Sequence, residues 1–254
     1  MTIAPVRHAS TIIVFDHDSY RILMVKRSRQ LAFFPNAWVF PGGRVDEQDE
    51  HVPVYGDVDG LSNNAFAVAA VRECFEEAGV WLGAGTPSLE LRDALNHRKG
   101  TLLDEPDLVA DLERLTLYSR WITPIAEPKR YDTLFFLTQL RIDEHFVPQA
   151  DQSETVDSGW FSPQEMIDAH YRKEVSLAPP TLLTLLELAQ YTSVQQVLAR
   201  NHDVRPIMPV HRKNPDLEIL LPGHIDHGEE ERGLLCDAMT LIDGVWKLSF
   251  FRRG

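Results

Sequence analysis

The chain has 254 residues, 44% apolar and 25% charged, which argues against a disordered or fibrous protein and leaves length enough for a sizeable core. With 38 acidic against 25 basic residues, the net charge of −13 argues against a general nucleic-acid or anionic-membrane binder, which needs a basic face. Cys74 and Cys236 are too few for a disulfide scaffold, no run reaches bilayer-spanning length, and the N-terminus lacks a basic segment followed by an unbroken apolar stretch, so a cytoplasmic protein is expected.

In chain order, the β-rich runs 10–15 and 21–26 flank the polar Asp16-His17-Asp18-Ser19 and predict an antiparallel hairpin. Trp38-Val39-Phe40 then leads into the turn Pro41-Gly42-Gly43. The acidic stretch 46–59 contains Pro53 and Gly56 without periodicity and reads as a surface loop. Within it Asp57-Val58-Asp59-Gly60 fits part of a calcium loop, but Tyr55 and Phe66 stand where its first and last ligands would be. Residues 63–78 follow a helical pattern, with Ser62 or Asn63 placed to cap its start and Gly79 its end. Strands are expected at 115–122, 134–142 and 156–161, and helices at 163–170, 180–191 and 194–200. Two β-like stretches, 217–221 and 245–251, close a chain without repeats.

The helix at 63–78 carries the chemistry. At 3.6 residues per turn, Val71, Cys74, Phe75 and Ala78 form one stripe while Glu73, Glu76 and Glu77 face the other way. Carboxylates spaced i, i+3 and i+4 repel one another, and a hard divalent cation such as Mg²⁺ (or Mn²⁺) offsets that repulsion while keeping exchangeable waters for phosphate oxygens. Arg72 flanks the cluster, where its planar guanidinium suits the orienting of a carboxylate. A solvated acidic helix face is the plain alternative.

The string Arg72-Glu73-Cys74-Phe75-Glu76-Glu77-Ala78-Gly79-Val80, downstream of Pro41-Gly42-Gly43, resembles the second half of the Nudix box at every specified position. The resemblance implies Glu73, Glu76 and Glu77 as metal ligands, Arg72 as their orienting partner, and the carbonyl of Gly43 as a further ligand. The first half departs: Asp49 stands where the box has glutamate, and 22 residues rather than seven separate it from Arg72. The interrupted box, with Trp121-Ile122-Thr123-Pro124 and the run from Arg130 through Phe136, resembles peroxisomal coenzyme A diphosphatases and their bacterial relatives.

That resemblance implies an α/β/α sandwich with a mixed sheet in residues 1–175, an inserted acidic loop at about 50–61, and a C-terminal α+β extension over 176–254 packed on the same domain. It implies hydrolysis of a pyrophosphate in a nucleoside diphosphate linked to another group: coenzyme A or acyl-coenzyme A first, ADP-ribose or NADH-like dinucleotides second. A nucleotide-sensing module without turnover and a protein-interaction domain are the rivals. Catalytic candidates are Arg72, Glu76, Glu77 and, as general base or extra ligand, Glu154. Arg44 and Arg130 are candidates for phosphate pairing, and Phe33, Phe34 and Trp38 for stacking on a base, although aromatic residues beside strands more often belong to a core. His224-Ile225-Asp226-His227 has no accompanying ligand set and is set aside as a metal site. A nucleotide-containing small molecule, no nucleic acid, no membrane and a homodimer complete the expected partners.

Overall fold

A computed structural model describes residues 3–31, 34–213 and 215–250. The first apolar run forms β1 (Val6–Phe15) and returns as β2 (Ile22–Arg27), with Phe15 opposite Ile22. The turn between them is held by Asp16, whose carboxylate accepts from the Ser19 hydroxyl and the His17 N–H. β3 (Ala37–Val39) pairs with β2, and β4 (Gly42–Arg44) with β1. There follow β5 (Val54–Tyr55), α1 (Ala65–Ala78), β6 (Gly83–Ala84), α2 (Leu89–Asn96), β7 (Val109–Asp111), β8 (Thr116–Ile122), β9 (Arg130–Gln139) and β10 (Thr155–Phe161). The chain continues with α3 (Pro163–Tyr171), β11 (Ser176–Leu177), α4 (Pro179–Leu188) and α5 (Val194–Leu198), then β12 (Val210–Lys213), β13 (Leu217–Leu220), β14 (Ala238–Ile242) and β15 (Val245–Ser249).

The main sheet runs β11-β3-β2-β1-β9-β8, with β10 on β2 and β4 on β1. It is mixed, because β1 and β9 lie parallel through ten paired positions while β1 and β2 are antiparallel. Side chains alternate between faces along each strand. Thus Ile12, Val14, Leu23, Val25, Leu134 and Phe136 enter one core with α1 and α2, while Ile13, Phe15, Ile22, Met24, Phe135 and Leu137 enter a second. The second core contains apolar residues of α3, α4 and α5 and, from the C-terminal sheet β12-β13-β14-β15, Ile219, Met239 and Trp246. The expected α/β/α arrangement is therefore present, and residues from 176 onward share a core with the main sheet instead of forming a separate one.

Three local differences from the sequence reading have physical reasons. The acidic stretch is not a plain surface loop: residues Glu47–Glu50 form a 3-10 turn, Val54–Tyr55 pairs with β7, and Asp49, Val52 and Val58 are buried. β9 begins at Arg130 because β1 continues back to Val6 and keeps pairing with it. Helix α2 and strands β6, β7, β11, β12 and β14 were not foreseen. In α2 the sequence Leu89-Glu90-Leu91-Arg92 alternates like a strand, but the Ser88 hydroxyl accepts the Leu91 N–H and starts a helix.

Candidate active site

Both ends of α1 are fixed by its own sequence. The Asn63 side chain accepts the Ala65 N–H at 2.8 Å, and Gly79, at φ 72°, closes the C-terminus with its N–H on the Phe75 carbonyl at 2.8 Å. Val68, Val71, Cys74, Phe75 and Ala78 lock the inner face into the first core. A further clamp escaped the sequence reading. Arg92 of α2 donates its Nε to the carbonyls of Phe75 (2.9 Å) and Glu76 (3.0 Å) and an Nη2 to that of Gln149, satisfying end carbonyls of the helix that carries the glutamates.

Arg72 is the hub. Its side chain is buried and makes five hydrogen bonds: Nε to Asp49 Oδ1 (2.8 Å), Nη2 to Asp49 Oδ2 (3.0 Å) and the Arg44 carbonyl (2.8 Å), and Nη1 to Glu73 (3.1 Å) and Glu76 (2.8 Å). A guanidinium has five N–H donors, so the five bonds match its full capacity. Burial pulls its pKa down, but Glu73, Asp49 and Glu76 outweigh that and hold it well above the ordinary value. Asp49, whose role the sequence left in doubt, is thus the buried counter-ion of Arg72, and its Oδ2 also accepts the Asp46 N–H at 2.8 Å. The insertion leaves this contact intact because the 3-10 turn bearing Asp49 packs directly on α1.

The glycine turn meets the same carboxylates. The Gly42 N–H donates to Glu77 Oε2 at 3.0 Å, and a Cβ on Gly43 would lie 2.3 Å from Glu73 Oε1, so only glycine allows this approach. Burial raises the Glu73 pKa to about 8, against the opposing pull of Arg72. Burial likewise raises Glu76, with Arg72 opposing it. It raises Glu77 well above the carboxylate range, with Glu73 adding and the Gly42 N–H opposing. Glu73 and Glu76 thus sit on Arg72 and Glu77 on the Gly42 N–H, and hard oxygen donors of this kind fit Mg²⁺ or Mn²⁺.

These carboxylates open into a cavity of about 1090 Å³. Gly43, Arg44, Arg72, Glu73, Glu76, Glu77 and Glu154 all line it, so the structure brings these candidates together. The Glu154 carboxylate is half exposed, 3.9 Å from Arg98, while its backbone is pinned by the Asp151 carboxylate and the Ser28 N–H. Arg27 and Arg98, which the sequence reading did not single out, line the cavity too. Arg130 is not brought there: it is buried, with Nε on the Thr123 carbonyl (3.1 Å) and Nη1 on that of Ala4 (3.3 Å), a role in chain stitching. Trp38 belongs to the second core, edge-on to Phe161 at 5.0 Å. Phe34 lines the cavity, and Phe33 lies outside the described residues. His224, Asp226 and His227 hydrogen-bond locally and to Arg212 and Met208, away from the cavity.

Comparisons with known proteins give the chain's family. Residues 57–188 match the family described as the NUDT19 Nudix domain. The chain is 30% identical over 210 residues to putative nudix hydrolase 7 of Caenorhabditis elegans, covering 80% of this chain and 67% of that protein. It is 28% identical over 240 residues to the acyl-coenzyme A diphosphatase NUDT19 of Homo sapiens, covering 71% and 63%. The chain thus spans about two thirds of the length of these relatives. The crystal structure of a NUDIX hydrolase from Alicyclobacillus acidocaldarius superposes with a TM-score of 0.65 at 25% identity, covering 79% of this chain and 99% of that one. From the carboxylate helix, the glycine turn and these matches together, the chain belongs to the Nudix hydrolase family.

Proposed function

We propose that the protein hydrolyses the pyrophosphate of coenzyme A or its acyl esters. Water attacks one phosphorus, the bridging P–O bond breaks, and 3′,5′-ADP leaves with the pantetheine phosphate as the second product. The observation that carries this reading is that Glu73 and Glu76, on an Arg72 with all five of its N–H donors engaged, and Glu77, on the Gly42 N–H, line one large cavity. The similarity to the human acyl-coenzyme A diphosphatase supports coenzyme A esters as the substrate class.

Nudix hydrolases generally use divalent metal ions, and here Glu73, Glu76 and Glu77, with the Gly43 carbonyl, would hold Mg²⁺ or Mn²⁺. When bound, such an ion neutralises phosphate oxygens and lowers the pKa of water. The chain's own groups do the rest. Arg72 and Asp49 keep the carboxylates in position. Glu154, on an anchored backbone with a half-exposed carboxylate, takes the proton of the attacking water, and Arg44 pairs with a substrate phosphate. The unpaired buried cysteines Cys74 and Cys236 support a reducing, cytosolic setting, which cell fractionation tests. A homodimer remains our expectation for sedimentation to test.

The test is a panel of coenzyme A, acyl-coenzyme A, ADP-ribose and NADH with Mg²⁺ or Mn²⁺, reading products. Release of 3′,5′-ADP from the coenzyme A compounds supports the reading, and product from ADP-ribose alone replaces it with the dinucleotide one. Tight binding across the panel without product makes the protein a sensor.

A further inference from the structure

The cavity that reaches the glutamates also extends over the opposite face of the main sheet, into a region the phosphate chemistry does not use. Alternation along β1 puts Ala9 and Thr11 on the side of the second-core residues Ile13 and Phe15, and the parallel register sets Thr133 beside Ala9 and Phe135 beside Thr11. Over this floor stand Leu217 and Ile219 of β13, Leu241 of β14 and Trp246 of β15. The C-terminal sheet is thus the roof of a chamber continuous with the carboxylate end.

The chemistry of this chamber is that of a site for a saturated chain. Of the charged residues lining the cavity, His211 lies on β12 of the roof sheet and pairs with Glu127 at 3.1 Å, and the polar groups of the floor are the hydroxyls of Thr11, Tyr131 and Thr133. Trp246 turns its polar atoms elsewhere: the indole N–H donates to the Leu177 carbonyl and the backbone N–H to His170 Nε2, which leaves ring surface for the chamber. A nucleobase bound by its edges needs matching donors and acceptors, whereas an alkyl chain needs only apolar area removed from water. We propose that this chamber binds the fatty acyl tail of a thioester substrate and that β13, β14 and β15 set the chain length accepted. The proposal rests on the coenzyme A reading above.

The experiment compares kcat/KM for coenzyme A and its acetyl, octanoyl and dodecanoyl esters in the full chain and in Leu241→Trp and Leu217→Trp, two half-buried wall positions where a larger ring fills the chamber. Each fully buried methylene is worth about fourfold. Allowing for incomplete burial, the wild type is expected to favour octanoyl over acetyl by roughly tenfold or more, with the Trp variants flattening that ratio toward unity. A second readout needs neither folded wall variants nor turnover: quenching of tryptophan fluorescence in Glu77→Gln by the same esters, with affinity rising with chain length. Hydrolysis with a flat chain-length profile in the wild type overturns the chamber and leaves the function standing. Chain-length-graded binding without hydrolysis by the wild type overturns the function and keeps the chamber. A graded profile unchanged in both Trp variants places the acyl tail elsewhere and overturns the proposal.

Discussion

Replacing Asp49 by asparagine removes the most buried counter-ion of Arg72 while keeping the shape of the side chain. In the native protein the Asp49 carboxylate accepts from Arg72 Nε at 2.8 Å, Arg72 Nη2 at 3.0 Å and the Asp46 N–H at 2.8 Å. Asparagine turns one of those acceptors into an NH₂ facing other donors. An exposed ion pair would be worth at most about 1 kcal/mol, but the two side chains are only 7% and 2% exposed, which decides for the buried case of about 3–5 kcal/mol. Arg72 keeps Glu73 and Glu76 as partners, so the lower end, about 3 kcal/mol, is expected. The released guanidinium also leans more on those two carboxylates and competes with a cation, so Mg²⁺ affinity should fall by about tenfold or more. Urea unfolding and isothermal titration measure the two effects, with Asp49→Glu as the charge-preserving control. A loss below about 1 kcal/mol with native Mg²⁺ affinity refutes the hub role given to Arg72 and Asp49.

Gly43→Ala should weaken metal binding at modest cost to the fold, because its Cβ would sit 2.3 Å from Glu73 Oε1 and must push that carboxylate aside; unaltered titration curves would contradict this. In EDTA the protein should lose stability as pH rises. Glu73 has a folded pKa of about 8 against 4.5 unfolded, so between those values the native state holds the extra proton and deprotonation favours unfolding. Added Mg²⁺ should reverse the trend, and a Tm in EDTA that climbs through this window argues against the buried carboxylate. For Arg130→Gln we expect a lower Tm with KM unchanged, since its partners are the backbone carbonyls of Thr123 and Ala4 and the Met208 sulfur. A higher KM at native Tm would return Arg130 to the substrate.

Much of the catalytic helix was legible because its signals are local. The stripe from Val71 to Ala78, the cap supplied by Asn63 and the positive φ of Gly79 all act within a few residues, and the same spacing puts the glutamates together. The strands of the central sheet were legible for a related reason, as their apolar runs are buried on both faces. What the sequence concealed depends on contacts between distant segments. Asp49 stands where the box has glutamate, but its bond to Arg72 forms only once the 3-10 turn folds onto α1, and Arg92 reads as a surface arginine until α2 reaches the end of α1. Arg130 and Trp38 show the converse, since residue types suited to phosphate and base contacts were used for stitching and packing. The chamber under the C-terminal sheet has no motif because its floor, on β1 and β9, and its roof, on β13 to β15, come from strands far apart in the chain.

The central claim is pyrophosphate hydrolysis by the carboxylate cluster. Its most direct measurement is the identification of products from coenzyme A incubated with the protein and Mg²⁺, beside a Glu77→Gln control of equal secondary structure. The wild type is expected to release 3′,5′-ADP, with turnover lower by about a hundredfold or more in the control. No cleavage by the wild type, or equal cleavage by both proteins, would contradict it.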